Sequence, residues 1–466
     1  METIVALSTP PGEGGIGIVR MSGPDSLQIA SNIFIPGGKK GKESNFVIIP
    51  RRLTYGHIID EDGNIIDEVL ICYMPAPHTY TREDIVEVNA HGGALILKTI
   101  LQLLIKKGAR LAEPGEFTRR AYINGRIDLV QAESILSIVN AKSFHALKAA
   151  QQNLKGLLST QIKEITWKLN EILAEIEAGL DFYQDDLEDE VTSYEVIMER
   201  VKELISVMEQ LQEKSRKGRI LQDGLKTVIV GRPNVGKSSL YNYFLGEERA
   251  IVTEIPGTTR DLLAEYVKLK GIPLRIIDTA GIHKKGEQHP VEKIGIRFSK
   301  KAIQEADLLL FLLDASSGIT EEDIWIYKNL PDKKDALLFV INKIDLDDKI
   351  DVNVFKEIFQ SDSLVKLSVK TGEGITKLEE KIENYVFSGE TGAGESTLVL
   401  QLRQGELISR AKHYLQNAFN SMENNMPLDI IIIDLKMVQD ILAEFLGENI
   451  QEDLLDNIFG KFCIGK

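Results

Sequence analysis

The hydrophobic positions in the first quarter of the chain occur in short runs that glycine and proline separate. The four clearest runs lie at residues 3–7, 17–21, 69–73 and 85–88. Short apolar runs bounded by turn residues are typical of β-strands, whereas the longer periodic stretch at residues 94–107 indicates a helix. We therefore predict an α+β domain over residues 1–122.

From about residue 126 the hydrophobic positions follow a helical period, as Leu129, Ala132 and Leu136 illustrate. The same period returns after residue 398, behind a stretch rich in glycine, serine and threonine that predicts a linker. Helical segments on both sides of a different pattern suggest one domain that is interrupted in the chain. We predict an α-helical domain made of two parts, residues 123–220 and 386–466.

Between these two parts, short apolar runs alternate with helical segments. The five runs lie at residues 227–230, 274–277, 308–313, 337–341 and 364–367. Apolar runs without alternation suit parallel strands that are buried on both faces, and their alternation with helices is typical of a βαβ fold. We predict a Ras-like α/β domain over residues 221–385, inserted into the helical domain.

Composition narrows the class of protein. The chain has 466 residues, of which 43% are hydrophobic and 27% charged, and this length predicts several domains. Two cysteines, Cys72 and Cys463, are too few for a disulfide framework or a zinc site. We find no signal peptide and no apolar run near 18 residues, and we expect a cytoplasmic protein without membrane contact. The net charge of −15 means that any RNA contact needs a local basic patch or a basic partner.

The most specific motif is GRPNVGKSS at residues 231–239, which follows a predicted strand and precedes a predicted helix. This arrangement is a phosphate-binding loop, or P-loop. Gly231 and Gly236 let backbone N–H groups curl around phosphates, Lys237 supplies a positive charge at the β- and γ-phosphates, and the Ser238 hydroxyl ligates Mg²⁺. The same predicted loop includes Asn234, Val235 and Ser239.

Two further segments suit the γ-phosphate and magnesium side of such a site. DTAG at residues 278–281 ends a predicted strand, where Asp278 can hold Mg²⁺ through water and the Gly281 N–H can meet the γ-phosphate. Thr279 and Ala280 complete this motif. GTTRD at residues 257–261 lies where a switch I loop belongs, and Thr259 there would reach Mg²⁺ and the γ-phosphate.

The base side of the predicted site begins with NKID at residues 342–345, which ends another predicted strand. Guanine presents an N1–H and an exocyclic amine on one edge, and the Asp345 carboxylate can accept both hydrogen bonds. Asn342 and Lys343 would support the ring, and Ser368 of the segment SVK would complete the pocket. Each motif alone is weak, but their order and spacing together predict a domain that binds and hydrolyses GTP.

Beyond these motifs, the whole chain resembles the MnmE (TrmE) family of tRNA modification GTPases. The resemblance rests on GRPNVGKSS, GTTRD, DTAG and NKID, and equally on segments outside the α/β domain. These segments are TPPGEGGIGIVRMSG near the N-terminus, EVNAHGG at residues 87–93, EPGEFTRRAYINGRIDLVQAE at residues 113–133 and the terminal FCIGK.

The resemblance implies a reaction and its partners. Members of the family form homodimers and work with an MnmG-type flavoprotein in a heterotetramer. Together they add an aminomethyl or carboxymethylaminomethyl group to C5 of the wobble uridine of certain tRNAs. The one-carbon unit comes from 5-formyltetrahydrofolate or 5,10-methylenetetrahydrofolate, bound by the N-terminal domain. By match to the family pattern, the folate contacts are Arg20, Glu87, Arg126 and Lys466.

The resemblance also implies stimulation by K⁺. The implied potassium ligands are the Asn234 side chain, Thr253, Ile255 and Thr258. The implied nucleotide contacts in the same segment include Glu254, Pro256 and Gly257. Ras-type enzymes place a water-orienting glutamine after the DTAG-like motif, but Ile282 stands here, and the resemblance assigns catalysis to Glu292.

Two alternatives use the same nucleotide motifs. A ribosome-assembly or other regulatory GTPase switch would usually carry an RNA-binding domain or a second GTPase domain beside the first. This chain instead carries a predicted α+β domain, a divided helical domain and CIGK. A helical scaffold with a degenerate nucleotide site is disfavoured, because Lys237, Ser238, Asp278 and Asp345 are all intact.

Overall fold

The computed structural model describes residues 2–10, 12–37, 48–181, 194–246, 264–277, 302–330, 336–387, 400–448 and 450–465. The chain divides into two compact units. The first comprises Met1–Leu136, Leu154–Glu188 and Leu428–Lys466, and the second comprises Ser137–Asn153 and Asp189–Pro427. The domain boundaries at residues 122, 220 and 385 stay a prediction.

The first unit contains a sheet of seven strands in the order β3-β4-β5-β6-β2-β1-β7. The strands are β1 Ile4–Leu7, β2 Gly14–Ser22, β3 Phe34–Pro36, β4 Thr54–Ile59, β5 Ile65–Met74, β6 Ile85–Gly92 and β7 Arg110–Leu111. All neighbours are antiparallel except β1 and β7. The four strands predicted from sequence are confirmed, whereas β3, β4 and β7 were not predicted.

Helices account for much of the remaining chain. They are α1 Ser26–Ile33, α2 Ala94–Lys106, α3 Glu116–Ile123, α4 Leu129–Val139, α5 Phe144–Leu154, α6 Leu157–Asp181, α7 Tyr194–Asp223, α8 Lys237–Phe244, α9 Glu321–Lys328, α10 Val352–Phe359, α11 Ile375–Phe387, α12 Leu402–Glu423, α13 Leu428–Leu446 and α14 Glu452–Phe459. The predicted helix at residues 94–107 and the helical character on both sides of the α/β segment are confirmed. Among the described helices, none combines the length and the hydrophobicity that a membrane span requires.

One face of the seven-stranded sheet packs on α1 and α2, where Val19, Val88 and Ile100 are fully buried. Strand residues alternate between the two faces, so the neighbours of these valines lie on the opposite face. The register pairs Arg20 with Glu87 across β2 and β6 on that opposite face. A polar pair is therefore presented on the face of the sheet opposite α1 and α2.

The second unit contains a sheet of six strands in the order β13-β12-β11-β8-β10-β9. The strands are β8 Leu225–Val230, β9 Ala264–Leu269, β10 Ile272–Ile277, β11 Leu308–Asp314, β12 Leu337–Asn342 and β13 Leu364–Lys366. The five predicted strands are confirmed and run parallel. The sixth, β9, forms an antiparallel hairpin with β10 and was not predicted.

The centre of this sheet explains why its strands could be recognised from sequence. Every residue of β11 and of β12 is buried, as expected for parallel strands covered on both faces. Parallel strands place their carboxyl ends at one edge of the sheet, and ligands of such folds bind at that edge. The residues that follow β8, β11 and β12 therefore meet there.

Candidate functional site

The P-loop follows the end of β8, and two of its glycines are required by space as well as by backbone conformation. Gly231 has φ +149°, and a Cβ there would lie 2.6 Å from the carbonyl oxygen of Leu312 in β11. Gly236 has φ +104°, and a Cβ there would collide with the side-chain amide of Asn342. The loop is thus pressed against the neighbouring strands, which leaves its backbone N–H groups to line the other side.

Lys237 begins α8 and places its ammonium group inside the concave P-loop. Its Nζ donates hydrogen bonds to the carbonyl oxygens of Gly231 and Arg232, both at 2.8 Å. Ser238 and Ser239 follow in the first turn of α8, where the helix dipole favours an anion. The donor set fits a nucleotide phosphate with Mg²⁺ on the Ser238 hydroxyl, since Mg²⁺ is usually held by few side chains together with phosphate oxygens.

Asn342 joins the two sides of the nucleotide site. Its buried side chain donates from Nδ2 to the Val235 carbonyl at 2.9 Å, and its Oδ1 accepts from the Val369 backbone N–H at 3.1 Å. Lys343 has φ +67° and donates from Nζ to the Asn234 carbonyl at 2.8 Å. The NKID segment, which was predicted to contact the base, therefore also holds the P-loop in place.

Asp345 and Ser368, predicted separately to contact guanine, are brought together. The Ser368 hydroxyl donates to Asp345 Oδ1 at 2.7 Å and accepts from the Thr371 backbone N–H at 3.2 Å. Ser368 is fully buried, so its position is set by the surrounding loop. This bond orients the carboxylate, and Asp345 is itself exposed and able to accept from a ligand.

Asp314, at the end of β11, is a member of the site that sequence reasoning missed. Its Oδ2 accepts from Lys343 Nζ at 2.7 Å, and its Oδ1 accepts from the Ser316 hydroxyl at 2.7 Å. Burial raises the pKa of Asp314, but hydrogen bonds from Lys343 and Ser316 outweigh burial and leave the pKa below its usual value. Asp314 is therefore a carboxylate that orients Lys343 at the edge of the predicted base pocket. Its position at the end of an apolar run was the signal available in the sequence.

Several predicted site residues lie outside the described residues, and their roles stay predictions. They are Thr253, Glu254, Ile255, Pro256, Gly257, Thr258, Thr259, Asp278, Thr279, Ala280, Gly281, Glu292 and Lys466. Within the described ranges, no group of three or more histidine, cysteine and acidic side chains is arranged to hold a metal ion.

The predicted folate residues of the first unit are held by local contacts. Arg20 Nε donates to Glu87 Oε1 at 2.8 Å, and both side chains are partly exposed. Arg126 Nη1 donates to the Tyr80 carbonyl at 3.0 Å, and its guanidinium lies 4.6 Å from the centre of the Tyr80 ring. Arg20 and Arg126 thus present cationic groups whose positions are fixed by a strand pair and by a cation–π contact.

The C-terminal CIGK segment returns to the N-terminal sheet. The Ser8 hydroxyl donates to the Gly465 carbonyl at 3.4 Å, and a Cβ on Gly465, which has φ +94°, would collide with the Leu7 carbonyl. Leu7 pairs with Val19, the neighbour of Arg20 along β2. The end of the described chain therefore lies beside β1, the strand that pairs with the Arg20 strand β2, and the role of Lys466 stays a prediction.

A network of buried ion pairs beside β2 was also missed in the sequence analysis. Arg120 is only 5% exposed, and it donates to Glu83 at 2.9 Å and to Glu116 at 3.0 Å. Arg110 also contacts Glu116, and Ser22 donates to Glu83 at 2.7 Å. The network ties α3 to the loop before β6 and to β2. Glu116 and Arg120 are four residues apart on α3, but Ser22 and Glu83 lie far from them along the chain, and so the sequence did not reveal the network.

Two family models together match nearly the whole chain. The description "GTP-binding protein TrmE N-terminus" matches residues 3–126, and "MnmE helical domain" matches residues 129–463. The tRNA modification GTPase MnmE of Clostridioides difficile (strain 630) is 46% identical, over 100% of this chain and 99% of the relative. The protein of that name from Thermoanaerobacter sp. (strain X514) is also 46% identical, with the same coverage.

A solved structure aligns with part of the chain only. The G domain of the T. maritima FeoB iron transporter is 28% identical, over 34% of this chain and 96% of that one, with a TM-score of 0.26. The relatives of full length, by contrast, match this chain over its whole length. On that ground, together with the P-loop and base pocket described above, this chain belongs to the MnmE family of tRNA modification GTPases.

Proposed function

We propose that this GTPase is stimulated by K⁺ and acts with an MnmG-type flavoprotein on C5 of the wobble uridine of certain tRNAs. The group added is aminomethyl or carboxymethylaminomethyl, and its carbon comes from a tetrahydrofolate bound by the N-terminal domain. The observation that carries the folate proposal is the return of Gly465 to the end of β1, the strand that pairs with the Arg20 strand β2. We place this activity in the cytoplasm.

The chemistry of a folate suits the residues on this sheet. A pterin ring has an N–H and an amino group on one edge, the same donor pair that lets a carboxylate recognise guanine, and Glu87 supplies a carboxylate. The tail of a folate ends in carboxylates, for which the guanidinium of Arg126 or of Arg20 is a suitable partner. Lys466 would add a further charge from the opposite end of the chain.

The proposed homodimer has support from the same sheet. The register aligns Tyr55, Leu70, Asn89 and Ile18 in one row across four strands. In this row Tyr55 is 48% and Leu70 is 40% exposed. Apolar side chains gathered on an open sheet face are typical of an interaction surface. We infer that a second copy of the chain covers part of this face.

Deleting residues 463–466 tests the folate proposal. We expect the modified wobble uridine in cellular tRNA to fall at least about tenfold, because a charged contact to the folate is lost, while GTP binding stays near normal. Nucleoside analysis of tRNA and nucleotide titration measure the two outcomes. Lys466→Ala should reproduce most of the loss, and Lys461→Ala, which alters an exposed lysine nearby, is the matched control. A normal level of modified wobble uridine in cells that carry the truncated protein would contradict the proposal.

The proposed potassium site uses Asn234 together with carbonyl groups of the following loop. Asn234 has φ +65°, and its own carbonyl is held by Lys343, so its backbone is fixed while its side chain is exposed. A monovalent cation beside the phosphates would offset charge that develops on the β–γ bridge, the role that an arginine has in other GTPases. Glu292 would orient the attacking water.

We therefore expect hydrolysis in K⁺ to exceed hydrolysis in Na⁺ by about tenfold or more, because Na⁺ is too small for a cage of the same oxygen atoms. Glu292→Ala should lower kcat by roughly 10- to 100-fold and change GTP affinity little, since the residue would act in the transition state. Steady-state rates of GTP hydrolysis in matched KCl and NaCl buffers measure the effect of the cation. Glu287→Ala, which removes another carboxylate from the same segment, is the control for Glu292→Ala. Equal rates in both salts would remove the cation from the mechanism.

A further inference from the structure

A buried carboxylate lies next to the nucleotide site without belonging to it. Asp323, in the first turn of α9, is 0% exposed. Its Oδ2 accepts from the Thr320 backbone N–H at 3.0 Å and from the Thr320 hydroxyl at 2.7 Å, so it takes part in the N-terminal cap of the helix. Its Oδ1 has no hydrogen-bond partner in the described part of the chain. A charge buried in this way requires a nearby cation.

That cation is Arg232, the second residue of the P-loop. Its Nε lies 3.4 Å from Asp323 Oδ2, and its Nη2 donates to the Ser317 hydroxyl. The Arg232 side chain is only 18% exposed. The guanidinium is therefore directed toward α9 and the loop after β11.

The backbone of the same residue contacts the phosphate-binding lysine. The carbonyl oxygen of Arg232 accepts from Lys237 Nζ at 2.8 Å. Gly231, which precedes Arg232, is packed against Leu312 without space for a Cβ. The position of the Arg232 carbonyl is thus set on one side by this packing and on the other by the ion pair with α9.

A second contact, from the last residue of β11, acts in parallel. Asp314 binds Lys343, and Lys343 donates to the carbonyl of Asn234, two residues beyond Arg232. The end of β11 and the start of α9 are therefore both attached to the P-loop: Asp323 directly through Arg232, and Asp314 indirectly through Lys343. Both attachments join charged side chains with restricted exposure, so solvent screens them less than a surface ion pair.

We propose that Arg232 is a positioning residue for the nucleotide: its ion pair with Asp323 fixes the P-loop carbonyl that holds Lys237. Arg232 itself does not contact the phosphates. Without the pair, the backbone at Arg232 has more freedom, and Lys237 is presented to the β- and γ-phosphates in fewer molecules. Binding of both GDP and GTP should be affected, because both nucleotides carry the β-phosphate that Lys237 contacts.

The test is a double-mutant cycle on the full-length chain. Arg232→Met removes the cation but leaves Asp323 charged and buried, so it lowers thermal stability as well as nucleotide affinity. Asp323→Asn keeps an acceptor for the helix cap and removes the charge. The double variant Arg232→Met/Asp323→Asn contains neither charge and should recover most of the lost thermal stability. Fluorescent GDP and GTP titrations and melting curves are measured for all four proteins.

We expect each of the three variants to bind both nucleotides about tenfold more weakly, because Lys237 is then held less firmly in the position that contacts the phosphates. The losses should not add in the double variant, because both substitutions remove one interaction. Arg232→Lys should recover part of the affinity. Arg219→Met, which breaks the exposed pair with Asp307, is the control and should bind both nucleotides normally.

Each other pattern overturns the proposal. If affinity recovers together with stability in the double variant, the pair is only structural. If Asp323→Asn binds normally while Arg232→Met does not, Arg232 acts on the phosphates directly. If all variants bind normally, the pair has no part in nucleotide binding. If Arg232→Met does not fold, Asp323→Asn and the double variant still distinguish these cases.

Discussion

Replacing Asp345 with asparagine is expected to weaken GTP binding by about 100- to 1000-fold, since two hydrogen bonds to a charged acceptor are worth about 3 to 4 kcal/mol together. The asparagine side chain offers a donor where guanine needs an acceptor. Xanthine carries a carbonyl in place of the exocyclic amine, so xanthosine triphosphate should become the preferred nucleotide. The Ser368 hydroxyl, bonded to Asp345 Oδ1 at 2.7 Å, fixes the side chain in the wild-type protein.

Competitive titration with GTP, ATP and xanthosine triphosphate measures this change of specificity. Asp347→Asn is the matched control, because it removes an exposed carboxylate two residues away and should leave all three affinities unchanged. The assignment of the base pocket would be wrong if the wild-type chain bound ATP as tightly as GTP.

Replacing Arg120 with methionine is expected to destabilise the first unit by about 3 to 5 kcal/mol, the usual cost of removing one partner of a buried ion pair. Methionine preserves much of the volume but leaves Glu83 and Glu116 without their common cation. The loss of charge compensation, and not a cavity, is then the main cause. Hydrogen exchange of the amides of β2 and β6 in denaturant measures the stability of this unit separately from the second.

The exposed pair of Lys106 with Glu61 supplies a control in the same unit. Its atoms are 3.6 Å apart and its lysine is 63% exposed, so Lys106→Met should change stability by less than about 1 kcal/mol. A similar loss of stability in Arg120→Met and Lys106→Met would show that the total number of charges, and not the buried network, determines the stability of the sheet.

The same network has a consequence for pH. Burial raises the pKa of Glu116, but hydrogen bonds from Arg110, from the Glu113 backbone N–H and from Arg120 outweigh burial and leave the pKa below its usual value. A carboxyl group whose pKa is lowered in the folded state stabilises the protein above its unfolded pKa. This contribution is lost as pH falls through the folded pKa, so acid should reduce the stability of the wild-type unit more than that of Arg120→Met.

The amino-acid sequence by itself determined the nucleotide site at the level of motifs. Gly231, Gly236 and Lys237 are close in sequence, and the turn from strand to helix that they require is a local property of the backbone. The buried strands β11 and β12 were equally clear, because a continuous apolar run is a local signal of burial on both faces. The NKID motif is also a local pattern, and so Asp345 could be predicted to contact guanine before its surroundings were known.

Elements with a weaker local signal were missed. Strand β9 alternates between Val267 and Leu269, which are buried, and Lys268, which is exposed, but this pattern is short. Strands β3, β4 and β7 lie toward the edges of their sheet, where burial is partial and turn residues are frequent. Their pairing depends on neighbouring strands that are distant in sequence, and so periodicity alone could not establish it.

Only the tertiary structure decided which distant residues meet. In the folded chain Ser368 bonds to Asp345, Arg232 pairs with Asp323, and Arg120 pairs with both Glu83 and Glu116. Gly465 lies against the end of β1. Such contacts depend on strand register and on the direction of each side chain after the chain has folded. A local pattern determines which residue types are present and what chemistry they can perform. The geometry that makes them act together comes from long-range packing, which no local pattern contains.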